Sequence, residues 1–340
     1  MSKSIPWTER MSVTRAPLDI LLGAYPGFIF GMPVNENILP VFHFHEVTPA
    51  YLEPYFRYLA NNGYRCADTA ELLRVVVDGE QPAPGTVLLT FDDAWTSLWT
   101  VAAPLLRKYN LRAVTFAAPG RISGRDGLRQ TIEDEPDMTD FGDKEDEPFC
   151  RWEELLRLEK EGLVEVESHT YSHEQIPVGQ NERNPVWTEK SLQEVPLLSK
   201  PLCWQDDRIF RRVDESDIGT VRPITRSRMS DARQWIENEN RFESDDERRA
   251  AIRKDLSMGY EVLEERLGRK PRILCFPWAV AGEVAREEAR LLGYEAAFSD
   301  SFPGKRFVHS RSDPFRLMRL KHQWIEYLPG EGRRRFPFNR

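Results

Sequence analysis

Short unbroken apolar runs alternate with longer amphipathic stretches along this chain, and the rhythm begins near residue 38. Residues 38–45 form an apolar run entered at Pro40, which predicts a buried strand. Residues 51–62 place apolar side chains at 52, 55, 56 and 59 and stop at Gly63, as a helix does. Strands follow at 86–91 and 113–117, with a helix over 98–109 that Pro104 either kinks or opens. The pattern then predicts a helix at 152–160, a strand at 163–167 and a long helix at 247–267 ended by Gly268. A strand at 272–276, a helix at 283–292 and a strand at 294–298 complete it. Strands apolar on both faces, alternating with helices, imply parallel βαβ units with helices outside. The expected fold is therefore α/β, a distorted (β/α) barrel of about seven parallel strands.

Residues 177–245 break the rhythm and read as an insertion in a single barrel spanning 38–330. Residues 1–37, rich in Pro and Gly, read as an irregular extension, and 331–340 as a solvated basic tail. The start lacks the apolar stretch of a secretory signal, and the most apolar early segment, 18–32, is too short and glycine-broken to span a bilayer. Cys66, Cys150, Cys203 and Cys275 stand far apart with no CxxC pair, so free buried thiols and a cytoplasmic location are expected.

Charge narrows the partners. With 47 basic and 55 acidic side chains the net charge is −8, which argues against generic nucleic-acid binding. Nine of the acids crowd into the stretch from Glu133 to Glu147, expected to be a solvated loop and a rim of the active-site pocket. It lacks the ligand spacing of an EF-hand calcium loop. No GxSxG elbow, P-loop or GxGxxG turn appears, which sets aside common serine hydrolases, P-loop enzymes and dinucleotide-dependent oxidoreductases.

Catalytic groups of a β/α barrel sit at the C-terminal ends of its strands. Three strand ends here carry unusual polar residues: His43 and His45, Asp92 and Asp93, and His169 with His173. Adjacent aspartates at a strand end diverge, so one can ligate a metal while the other faces an attacking water. The plainer alternative is a helix cap beside a solvated carboxylate. Two of only six histidines stand four apart just after a strand, a spacing that brings two imidazoles together. With an aspartate they make a three-ligand set that leaves a metal position open. His43 is expected to point to the other side of its strand from His45, and His309 to be an ordinary loop histidine.

The segments Thr90-Phe91-Asp92-Asp93 and Ser168-His169-Thr170-Tyr171-Ser172-His173 resemble the first two motifs of the NodB-homology polysaccharide deacetylases, carbohydrate esterase family four. Arg151 to Leu155 resembles the helix before the second motif, and Cys275-Phe276-Pro277-Trp278 the family's proline-aromatic motif. The resemblance covers residues 38–176 and 246–325. It implies a metal-dependent hydrolase that removes an N-acetyl group from a sugar of a polysaccharide, glycan precursor or glycolipid. Asp93, His169 and His173 would hold a divalent metal, foremost Zn²⁺, with Co²⁺, Ni²⁺, Fe²⁺ or Mn²⁺ as alternatives. Asp92 would be the general base, and a backbone N–H at Pro277-Trp278 would hold the oxyanion. The general acid would be His45 or His322, with His45 preferred. Trp95 would line the pocket, and Trp187, Trp204 or Trp235 would stack on pyranose rings or cover a small core of their own.

Two positions depart from the family pattern. Ala94 stands where Gly is usual, and Cys275 where many members place an Arg that orients the base; Arg319 is the expected substitute. Hydrolysis of a non-sugar amide, or a glycan-binding barrel without turnover, are the other readings of the same residues.

Overall fold

The computed structural model of the chain describes residues 23–138, 147–179, 186, 188–190, 216, 218–221, 224–299 and 305–335. In chain order these run β1 (Ile38–Leu39), β2 (Val41–Phe44), α1 (Pro49–Asn61), β3 (Arg65–Cys66), α2 (Thr69–Val76), β4 (Thr86–Asp92), α3 (Ala103–Lys108), β5 (Ala113–Ala117), α4 (Trp152–Lys160) and β6 (Val164–Ser168). After them come β7 (Gln175–Gly179), β8 (Ile224–Ser227), β9 (Trp235–Ile236), β10 (Arg241–Phe242), α5 (Asp245–Leu267), β11 (Ile273–Cys275), α6 (Glu283–Leu292), β12 (Ala296–Phe298), β13 (Val308–His309) and β14 (Leu320–Lys321).

Seven strands pair in parallel in the order β12-β11-β6-β5-β4-β2-β14, and β3 also joins β4. The curled sheet closes through one short segment: Leu317 bridges Phe298 of β12, and three residues later Leu320 pairs with Phe42 of β2. Strand alternation divides the core in two. Val41, Leu88, Val114, Phe116, Ile273, Cys275, Phe298 and Leu317 share an inner cluster. Their neighbours Phe42, Leu89, Phe91, Ala113 and Val166 pack outward against Leu52, Phe56, Leu105 and Leu155 of the helices. The distorted β/α barrel expected from the apolar runs is thus the fold.

Several local expectations change. The run at 38–45 is two strands, because Pro40 lacks an N–H. Before it, Ile38 pairs antiparallel with His309; after it, Val41 pairs parallel with Leu88. His309 therefore belongs to a strand rather than a loop. The helix at 98–109 begins as a π-helical stretch, Leu98–Ala102, before α3. Pro104 offers no donor to the Thr100 carbonyl, which accepts instead from the Ile132 N–H at 3.0 Å.

The region read as an arrhythmic insertion contains antiparallel pairs, β7 with β8 and β9 with β10. Trp235 packs edge-on against Phe242 there; Trp187 and Trp204 lie outside the described residues. The tail is not wholly solvated, since Arg333 donates to the carbonyls of Phe28, Gly31 and Met32 and ties down a turn whose Phe28 and Ile29 are buried. Cys66, Cys150 and Cys275 are free and buried, and Cys203 lies outside the described residues. Among the described residues no helix is long and apolar enough to cross a membrane.

Candidate active site

The inward-facing rows of the barrel strands climb to one polar cluster at their C-terminal ends. Leu88, Thr90 and Asp92 share a face of β4, so Asp92 points inward at the strand end. Beyond it the chain turns sharply: Asp93 and Ala94 have φ of 68° and 53°. This left-handed stretch explains why glycine suits position 94, and it swings Asp93 across to the end of β6. His169 follows β6 directly, and its N–H donates to the Ala117 carbonyl at 2.8 Å. Thr170 and His173 also have positive φ, 64° and 55°, so the turn between the two histidines is strained at both ends.

These turns bring three side chains together. Asp93 Oδ1 lies 3.4 Å from His169 Nε2 and 3.4 Å from His173 Nε2. All three are buried, and Asp93 Oδ1 has no hydrogen-bond partner. A buried carboxylate oxygen facing two imidazole nitrogens, with no donor of its own, fits a divalent cation. Neighbours hold these side chains in place. His169 Nδ1 meets the Cys275 carbonyl at 2.6 Å, which leaves Nε2 for the site, and Trp95 Nε1 donates to Asp93 Oδ2 at 3.1 Å. Trp95 therefore touches Asp93, as well as packing on Phe149. Burial pushes the His173 imidazole down to about 3, whereas its Cys275 and Asp93 partners hold His169 well above the ordinary imidazole range against burial.

Asp92 has different partners. Arg319 forks onto it, Nη1 to Oδ1 at 2.6 Å and Nη2 to Oδ2 at 2.7 Å, and also reaches Cys275 Sγ at 3.0 Å. The guanidinium expected to replace the family arginine at 275 thus arrives from the segment that closes the barrel, and lies against the cysteine standing there. Burial alone would raise the Asp92 carboxyl, but Arg319 overrides it and holds the group well below the usual carboxylate range.

Of the two general-acid candidates, His45 comes to Asp92, its Nε2 3.6 Å from Oδ2. His322 packs among Phe44, Tyr51 and Tyr55, with the Tyr51 hydroxyl as polar partner at 2.6–2.8 Å. His43 corrects an expectation. Residues two apart on a strand share a face, so it turns inward like His45, their rings 5.5 Å apart, and its ligating nitrogen lies within 4.8 Å of those of His45 and Asp92. Burial holds His43 well below the ordinary imidazole range.

Pro277 and Trp278 form a short 3-10 turn after β11, with Trp278 at φ 56° and its ring 4.2 Å from that of His173. The Trp278 N–H falls in the first turn, where no carbonyl within the turn accepts it. The acidic run behaves differently from expectation at its ends. Glu133 pairs with Arg107 at 3.5 Å, while Glu147 is buried, bonded to Ser123 and Arg151. Residues 139–146 lie outside the described set, so its proposed place on the rim does too.

Barrel and site together set three convergent side chains that could hold a metal ion beside a separately held carboxylate. A family model described as polysaccharide deacetylase matches residues 79–199, and one described as glycosyl hydrolase family 57 matches residues 152–335. The chain is 25% identical over 259 residues to the poly-beta-1,6-N-acetyl-D-glucosamine N-deacetylase of Escherichia coli K12, covering 75% of this chain and 31% of that protein. It is 23% identical over 194 residues to the protein YxkH of Bacillus subtilis, named a putative polysaccharide deacetylase, covering 52% of this chain and 61% of the relative. The chain thus spans about a third to three fifths of the length of these relatives.

Two solved structures share the fold. The BpsB deacetylase domain of Bordetella bronchiseptica has a TM-score of 0.57 at 17% identity, covering 85% of this chain and 97% of that one. IcaB of Ammonifex degensii has a TM-score of 0.52 at 18% identity, covering 87% and 97%. The chain is thus similar to the polysaccharide deacetylases of NodB homology, and the pattern of glycosyl hydrolase family 57 spans just over half of it.

Proposed function

We propose that this protein is a metal-dependent N-deacetylase that hydrolyses the acetamide of an N-acetylated sugar in a glycan, releasing acetate and a free amine. The observation that carries the reading is the division of labour between adjacent aspartates. Asp93 faces His169 and His173 with an unpartnered buried oxygen, and Asp92 stands apart, ionised by Arg319 and beside His45. The names of the relatives, with N-acetyl-D-glucosamine polymers foremost, support an acetylated hexosamine as substrate.

Asp93, His169 and His173 would hold the divalent ion. When bound, such an ion supplies Lewis acidity, polarising the acetyl carbonyl and acidifying water. The chain's own groups supply the rest. Asp92 accepts the proton of the attacking water as a C–O bond forms at the acetyl carbon. Arg319 keeps its carboxylate oriented and charged through the step. The Trp278 N–H would stabilise the oxygen on which charge develops. His45 donates a proton to the amine nitrogen as the C–N bond breaks. Its half-exposed position lets it exchange with solvent between turnovers.

Glycoside cleavage is a poorer account of the same residues. It calls for a carboxylic acid held protonated by a raised pKa; Asp92 and Asp93 are both held well below the usual range, and Glu167 and Glu174, which burial pushes up to about 7, are engaged by Arg269 and Arg228. The stretch matched by the glycosyl hydrolase family also contains neither aspartate.

The direct test is Asp92→Asn. It should retain one equivalent of divalent metal and lose about 10²- to 10⁴-fold in acetate release from an N-acetylglucosamine oligomer. Undiminished release would remove Asp92 from the mechanism.

A further inference from the structure

Asp255 lies in the middle of α5, more than eighty residues beyond the histidines, and is 3% exposed. Its carboxylate accepts the Ser172 N–H at 3.0 Å, the Ser172 hydroxyl at 2.6 Å and the Tyr171 N–H at 3.4 Å. Every one of these donors sits between His169 and His173. The helix comes close enough only because it is notched: a Cβ on Gly259 would lie 3.0 Å from the Thr170 carbonyl carbon and the Tyr171 nitrogen. On the other side of the turn, Gly120 donates to the Tyr171 carbonyl at 2.9 Å, and a Cβ there would meet that oxygen at 2.8 Å.

The N-terminal side of the same helix grips the next residue along. Arg228, nearly buried, donates to Glu174 at 3.0 Å and to Glu243 at 2.8 Å, and Glu243 immediately precedes Ser244, the N-cap of α5. Chain turns with positive φ at non-glycine residues persist only when their surroundings over-determine them. The turn over residues 170–173 has two such residues, and α5 supplies its restraint.

We propose that Asp255 is a positioning residue for the metal site: through the Tyr171 and Ser172 donors it fixes the turn that presents His169 and His173 together. The proposal rests on the reading of Asp93, His169 and His173 as metal ligands. A purely structural Asp255 would contribute to folding without affecting how the ligands meet an ion. A positioning Asp255 must do both.

The test uses full-length, chelator-treated protein titrated with Co²⁺ and followed by its visible absorption. Asp255→Ala should raise the Co²⁺ dissociation constant about 10- to 100-fold and alter the absorption envelope. It should also speed amide hydrogen exchange over residues 169–174 in the metal-free protein. Asp255→Asn, which keeps an acceptor oxygen, should recover most of the affinity, and Ser172→Ala should fall between. Ile252→Val, fully buried on the same helix, is the control: it should lower Tm and leave the Co²⁺ constant and spectrum unchanged. If Asp255→Ala fails to fold, the Asn and Ser172→Ala variants decide. Variants that bind Co²⁺ like the wild type, or a control that weakens binding as much, would overturn the positioning role alone. Wild-type protein that takes up no Co²⁺ would overturn the metal site itself and this proposal with it.

Discussion

Asp93, His169 and His173 have side chains between 2% and 6% exposed, whereas His45, just across Asp92, is 53% exposed. The two groups of imidazoles lie on opposite flanks of one aspartate pair and are built differently. The buried set is locked by a carbonyl on His169, an indole on Asp93 and a helix behind the turn. The other flank joins an open His45 to a buried His43 and to His322 in an aromatic nest. Holding a cation requires fixed, dry donors, while delivering a proton requires contact with water. That contrast is the physical content of the proposed mechanism, and it can be attacked from either side.

The largest effect belongs to the locked set. Asp93→Ala or His169→Ala should abolish stoichiometric metal binding and reduce acetate release to background, checked by elemental analysis beside the acetate assay. Retained metal in either variant would mean that the three residues do not form the site. On the open flank, His45→Gln should lower kcat about 10²-fold with metal content intact. His322→Gln should cost less than tenfold, since its ring meets Tyr51 rather than an aspartate. The reverse ranking would exchange the two histidines' roles.

The smallest effect lies between the two flanks. Arg319 holds the Asp92 carboxyl low against burial, so Arg319→Lys, which loses the fork, should let that pKa climb. In the proposed mechanism Asp92 acts ionised, so the acid limb of kcat/KM should move up by about one pH unit. An unmoved limb would separate Arg319 from the ionisation of Asp92.

Much of the barrel was legible because its strands are apolar on both faces, which leaves a continuous run in the sequence. The convergence of Asp93, His169 and His173 was legible for a local reason: Asp93 follows a strand and the two histidines follow another. What was lost depended on contacts between distant segments. Asp255 has no local signature, because its partners are brought to it only when α5 crosses the turn. The split at Pro40 depended on β13, some 270 residues on, offering Ile38 an antiparallel partner. Arg319 was nominated from the cysteine at 275, but only the segment closing the barrel carries it onto both oxygens of Asp92. His43 was misplaced by a parity error that strand geometry corrects.

The central claim is that one divalent ion held by Asp93, His169 and His173 is required for deacetylation. The most direct measurement is acetate release from an N-acetylglucosamine oligomer by chelator-stripped protein as divalent metal is added back. The account predicts no release without metal, a linear rise, and a plateau at one equivalent per chain. Release that is undiminished in the stripped protein would contradict it.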